Sequence, residues 1–195
     1  QADIVRDEAT GTVTVTAEGL SLKAADGQKY VTVNDRCFYL ADGLQNLGGE
    51  AALPVRILAG SLQYTVAWDA ESASVSLAAD DPLPLASADA TYNAEDLYWL
   101  SHLINAEAGN QPFEGKVAVG NVVLNRVADP SCPNSVHDVV FDDRFGVQFS
   151  VITTGGIYAE PNEESLAAAK ACLEGASVVG KALYFVNPTL ASSKW

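Results

Sequence analysis

A single glutamate sits among apolar residues at the end of a segment with helical periodicity. Across residues 97–109, Leu97, Leu100, Leu103 and Ile104 form an apolar stripe. At about 100° per residue, and measured from Leu97, Glu107 falls at about 280°, between Leu103 at about 240° and Leu100 at about 300°. A carboxyl group inside such a stripe is unfavourable unless it is paired or keeps its proton. Burial raises its pKa, and a carboxylic acid held neutral near pH 7 is a general acid. The competing use of the position is a helix-end glutamate that reaches solvent or caps the next loop. A second candidate set lies on the following segment, which is apolar nearly all round at Val117, Val119, Val122, Val123, Leu124 and Val127. That pattern belongs to a buried helix. Its polar residues Glu114, Asn121 and Asn125 fall at about 60°, 40° and 80° from Val117, in one narrow stripe. This stripe is either a solvent face or the lining of a cleft that Glu107 also borders.

The elements that must hold these residues follow from the rest of the pattern. Residues 1–79 alternate with period two at Thr12 to Thr16, Leu20 to Leu22, Tyr30 to Val33, Tyr64 to Trp68 and Ser72 to Leu77, with turn signals such as Asp26-Gly27, Asn34-Asp35 and Gly48-Gly49 between them. Residues 43–47 and 55–62 read as short helices. Asp80-Asp81-Pro82-Leu83-Pro84 then interrupts the pattern as a semi-rigid linker. Asn93 with Asp96 three residues on is an N-terminal helix signal. Helices are expected to about residue 108, over 112–127 with Pro112 in the first turn, over 135–141, and from after Asn162 to Gly175. Extended pieces are expected at 145–152 and 182–186. The fold class is α+β, with a small β-rich domain at 1–80, a linker at 81–90 and a mainly helical domain at 91–195 that carries a short β element.

Composition narrows the function. Eleven basic and 25 acidic residues give a formal charge of −14. Residues 1–86 and 87–195 each carry −7, so the acidity is spread along the chain. Nothing basic is concentrated enough for nucleic acid, and tight binding to anionic wall polymers is disfavoured. A neutral or zwitterionic polymer fits better. No segment has the roughly 20 apolar residues that span a bilayer, and Gln1-Ala2-Asp3 does not open a signal peptide. Cys37, Cys132 and Cys172 form no CxxC pair. They read as idle or buried thiols, with a Cys132–Cys172 disulfide as the alternative. His102 and His137 lack the spacing of a zinc site, and neither a metal nor a cofactor is expected. His102, at about 140° on the first helix, is expected on the surface, away from Glu107.

The run EAGNQPFEGKVAVGNVVLNRV, from Glu107 to Val127, resembles the catalytic domain of the spore cortex-lytic enzymes, a bacterial cell-wall hydrolase family. The resemblance continues through Pro133-Asn134-Ser135-Val136, Val139-Val140-Phe141, Gln148-Phe149-Ser150, Ala182 to Pro188 and Ser193-Lys194-Trp195. It implies a lysozyme-like fold and a lytic transglycosylase that cuts between N-acetylmuramic acid and N-acetylglucosamine. Glu107 takes the position of the single acid/base. Gln148, Ser150, Tyr184 and Asn187 become sugar-holding residues beside Asn121, Asn125 and Glu114. A hydrolytic muramidase would need a second acid, for which Glu114, Asp142 and Asp143 are the candidates. An inactive wall-binding scaffold is the non-enzymatic alternative. Family members usually continue past the Trp195 position with a stretch rich in Gly and His, so a chain ending there is expected to expose an edge or weaken the cleft.

Residues 53–59, Tyr64 to Asp69 and Ser74 to Leu77 look like the stalk domain named after the copper amine oxidase N-terminus. Arg56 is expected to form a structural bridge in it. These resemblances imply peptidoglycan glycan strands as the partner, an extracellular home in the cell wall or spore cortex, and contact with a wall or spore-coat protein through the first domain. No membrane insertion is expected.

Overall fold

The computed structural model describes residues 2–79 and 84–185. It is an α+β chain that divides into two compact units, residues 1–91 and 92–195.

The first unit is built on an antiparallel five-stranded meander, β1 (Asp3–Asp7), β2 (Thr12–Ala17), β3 (Leu20–Ala25), β4 (Tyr30–Val33) and β5 (Arg36–Tyr39), paired in chain order. Period-two alternation sends Leu20, Leu22 and Ala24 of β3 inward, where they meet Val31, Val33, Leu40 and Leu44. Asn34 and Asp35 turn β4 into β5 with φ of 49° and 63°, a left-handed pair that matches the strands' twist. The Asn34 side chain donates to Gly19 O and Leu85 O and accepts from Ser21 N, and its carbonyl accepts from Ala88 N. Residues 85–88, inside the expected linker, are thereby hydrogen-bonded onto the first unit. The unit is completed by a hairpin of β6 (Gln45–Leu47) and β7 (Glu50–Ala52), helix α1 (Val55–Gly60), a hairpin of β8 (Thr65–Asp69) and β9 (Ser74–Ala78), and the single turn α2 (Ala88–Thr91). The helix expected over 43–47 is instead strand β6. Gly43, Gly48 and Gly49 have φ of 69°, 66° and 95°, which break a helix and close a hairpin. Arg56 donates to Val66 O at 3.3 Å and so links α1 to β8.

The second unit is helical: α3 (Ala94–Ala108), α4 (Phe113–Ala128), α5 (Val136–Val140), α6 (Ser150–Thr153) and α7 (Glu163–Leu173), with a 3-10 turn at Gly156–Tyr158. Asn93 caps α3 by accepting from Glu95 N and Asp96 N. Asn162 caps α7 by accepting from Ser165 N. Helix α3 is central, with α4 and α7 packed along it and α5 on another side. Leu100, Leu103 and Ile104 of α3 are fully buried, as are Val117 and Val123 of α4 and Ala168, Ala169 and Ala171 of α7, the helices packed against it. At the closest approach, a Cβ on Gly120 would lie 2.6 Å from Cys172 Sγ and 3.0 Å from Ile104 Cδ1, so only glycine fits there.

Three expectations for this unit are corrected. His102 is 3% exposed, stacked on Tyr98 with ring centroids 4.0 Å apart and its Nδ1 2.8 Å from Tyr98 O. A single apolar stripe suggested one buried face, but α3 is packed on several. Cys132 and Cys172 are not joined, which removes the alternative of a disulfide between them. Cys172 is buried among the helices, where desolvation pushes its thiol up to about 12, and Cys132 is partly exposed elsewhere. Residues 145–152 are not an extended piece, because α6 starts at Ser150. Among the described residues of this unit, the only β pairing is an isolated bridge between Arg144 and Gly146.

Candidate active site

Glu107 occupies the last turn of α3, one residue before Ala108 closes it. Its side chain is partly buried, and desolvation raises its pKa above the ordinary 4.5. Among the described residues the carboxyl has no hydrogen-bond or ion-pair partner, so nothing offsets the desolvation. It opens into a cleft of about 370 Å3 whose wall is almost wholly polar, with Asn105, Gly109, Asn110, Gln111 and Asn162 around it. A carboxyl with a raised pKa beside amide side chains has the chemistry to suit a neutral, hydroxyl-rich ligand.

The cleft wall is held from α7. Asn105 Nδ2 donates to Glu160 O at 3.3 Å, and its Oδ1 accepts from Asn162 N at 3.1 Å. Asn162 Nδ2 donates to Gly109 O at 3.2 Å. Lys116, only 2% exposed, donates to Gln111 O at 2.7 Å and pairs with Glu164 in the first turn of α7. Pattern reasoning missed Asn105, Asn110, Gln111, Lys116 and Asn162. Asn110 and Gln111 follow Glu107 directly in the chain, which was a usable signal. Lys116 gave none, because a lysine on a helix ordinarily points to water.

The other expected site residues separate into groups. Gln148 and Tyr184 share a second cleft of about 280 Å3 with Arg126, Asp142, Arg144 and Phe145. There Tyr184 is 76% exposed and lies over the Arg126 guanidinium, 5.0 Å from ring centroid to carbon. Arg126 also donates to Leu183 O. Asp142 accepts two hydrogen bonds from Arg144, at 2.8 and 2.9 Å, and the Arg144 side chain holds its pKa below the usual carboxylate value. Ser150 is exposed at the start of α6. Glu114 is partly buried in the first turn of α4. Asn121 is buried and donates to Ala176 O at 2.6 Å while accepting from Val178 N at 2.8 Å. Asn125 donates to Gly180 O and Ala182 O at 2.8 and 2.9 Å. The polar stripe of α4 therefore fastens residues 176–182. Asn187 lies outside the described residues.

Residues 110–195 match the Cell Wall Hydrolase family, and residues 1–77 match the Copper amine oxidase N-terminal domain family. The chain thus carries a cell wall hydrolase domain preceded by a copper amine oxidase N-terminal-like domain; Glu107 lies three residues ahead of the first match. Among individual relatives, a spore cortex-lytic enzyme of Bacillus cereus is 38% identical over 104 residues, covering 53% of this chain and 39% of that protein. The spore cortex-lytic enzyme of Bacillus subtilis is 36% identical over 104 residues, covering 53% and 33%. The chain therefore spans well under half the length of these relatives. The solved catalytic domain of the germination-specific lytic transglycosylase SleB from Bacillus anthracis is 38% identical, with a TM-score of 0.48 over 53% of this chain and 83% of that one. The copper in the second family's name finds neither imidazole nor thioether in the sequence of the first unit. Residues 1–91 contain no His or Met, and their one sulfur, Cys37, is fully buried.

Proposed function

We propose that the second unit cleaves peptidoglycan glycan strands between N-acetylmuramic acid and N-acetylglucosamine as a lytic transglycosylase of spore cortex or cell wall. The observation that carries this reading is Glu107, a partly desolvated and unpaired carboxyl in an amide-lined cleft. The relatives named spore cortex-lytic enzymes and lytic transglycosylase support the substrate. In its protonated form Glu107 gives its proton to the glycosidic oxygen as the bond to the muramoyl C1 breaks, through an oxocarbenium-like transition state. The carboxylate then takes the proton of the muramoyl 6-hydroxyl while that oxygen bonds to C1. This closes a 1,6-anhydro ring and restores the acid. The internal hydroxyl replaces water, so one carboxyl performs both proton transfers.

The first unit is assigned a locating role, through a wall or spore-coat protein, with the division between domains falling in residues 81–90. Comparing residues 91–195 with the whole chain on soluble glycan fragments and on intact sacculi tests this. Equal rates on fragments with slower action on sacculi support it, and lost activity on fragments refutes it. The chemistry is tested by the masses of fragments released from purified peptidoglycan. Anhydromuramoyl ends support transglycosylation, reducing ends support a muramidase, and no release supports an inactive scaffold.

A further inference from the structure

The Glu107 carboxyl has no hydrogen-bond partner to orient it among the described residues, so its direction is set by the backbone that carries it. That backbone is tied down immediately after the acid. Gly109 N donates to Asn105 O and Gln111 N to Ala108 O, both at 2.9 Å. The carbonyls of the same two residues are taken from outside the segment, Gly109 O by Asn162 Nδ2 and Gln111 O by Lys116 Nζ. Both outside donors lead to one place, the first turn of α7, through Asn162 itself and through the Lys116–Glu164 pair. A Cβ at Gly109 would lie 2.5 Å from Asn105 O, so the turn leaves α3 at a position that requires glycine.

Lys116 is the unusual member. An ammonium group is seldom buried, because withdrawing it from water must be offset by a partner. Its partner Glu164 is itself about half exposed and could be solvated without it. Because Glu164 can be solvated, replacing Lys116 alone by an apolar side chain of similar length leaves no buried charge without a partner. What an apolar residue cannot do is hold the Gln111 carbonyl. We propose that Lys116, with Asn162, is a positioning residue: it fixes the 109–112 turn against α7 and thereby aims Glu107 at the scissile oxygen. The inference rests on the transglycosylase reading for its substrate, and the geometry of the clamp stands apart from it.

The test uses the full chain with K116M and N162S. Met keeps the buried stem and removes the ammonium. Ser keeps an oxygen to cap α7 and removes the donor to Gly109 O. On peptidoglycan fragments, both variants are expected to lose at least about tenfold in kcat with KM nearly unchanged, as expected for a misdirected catalytic group. Melting temperatures should stay near wild type, and K116R should recover part of the lost kcat. Hydrogen exchange at the Gly109 and Gln111 amides should quicken in K116M and N162S and stay slow in wild type. Unchanged exchange, or quickened exchange with wild-type kcat, overturns the clamp. A fall in activity that only follows a fall in folded fraction overturns it too. Wild type that releases no fragments defeats the transglycosylase reading instead, while the exchange measurement still decides whether the clamp exists.

Discussion

Glu107 and Asp142 are carboxylic acids in two clefts of the same helical unit, and their surroundings push them in opposite directions. Glu107 stands in the last turn of α3 with no ion-pair partner among the described residues, and desolvation raises its pKa. Asp142 is held by the Arg144 side chain, which lowers its pKa below the ordinary carboxylate value. The contrast shows that the residue type does not assign the chemistry. A general acid near neutral pH needs the first environment, and a carboxylate held ionised cannot give up a proton. The Asp142 cleft offers something else: the exposed rings of Phe145 and Tyr184 beside guanidinium and amide groups.

The strongest way to break this contrast is to remove the acid. Glu107→Gln should lower glycan cleavage by about 10²–10⁴-fold, the usual worth of acid–base catalysis. Its melting temperature should be no lower than wild type, because a desolvated acid has been removed. Fragment release per folded molecule, paired with a thermal melt, checks both.

The pH dependence of stability sharpens the same point. The folded-state pKa of Glu107 lies above its ordinary 4.5, so folding binds this proton more tightly than the unfolded chain does. The stability that Glu107 contributes relative to the glutamine variant is fully present below pH 4.5 and is lost as pH rises through the raised folded value. Unfolding wild type and Glu107→Gln across that range should show the gap opening in favour of the variant as pH increases. A gap opening in the other direction would mean that the carboxylate form is stabilised. The alkaline limb of kcat/KM should likewise lie above 4.5.

Asn121→Ala should act on stability and spare the chemistry. It removes the partner of Ala176 O and Val178 N, both partly buried, a loss of about 1–3 kcal/mol for the two hydrogen bonds together. Denaturant unfolding should show the loss while turnover per folded molecule holds. Lost turnover at unchanged stability would return the α4 stripe to the glycan cleft. The smallest effect belongs to Asp142→Asn, which should change turnover by less than about twofold, since Asp142 lines the other cleft and its carboxylate is engaged by Arg144. A large loss there would favour a two-carboxylate hydrolysis.

The sequence made the helices of the second unit and the place of Glu107 legible, because both follow from local signals: periodicity, the Asn93 and Asn162 caps, and a carboxyl inside an apolar stripe. Strands β2, β3 and β4 of the first unit were legible for the same reason, through their alternation and the Asn34-Asp35 turn, while β1 and β5 were not read as strands. The rest depended on partners distant in the chain. The stripe of Glu114, Asn121 and Asn125 was correctly placed on one face of α4, but whether that face met solvent, substrate or residues 176–182 could not be read from α4 itself. His102 fell on a face of α3 that is buried as well, which the stripe alone did not show. Lys116 and Asn162 gain their meaning only when α7 packs beside the turn after Glu107. Residues 43–47 were misread because an apolar-polar mixture over five positions fits either period, and the glycine torsions decided it.

The most direct test of the account is mass analysis of the fragments that the wild-type chain and Glu107→Gln release from purified cortex peptidoglycan. The account predicts 1,6-anhydromuramoyl ends from wild type and almost no release from the variant. Reducing muramic ends from wild type, or undiminished release from the variant, would contradict it.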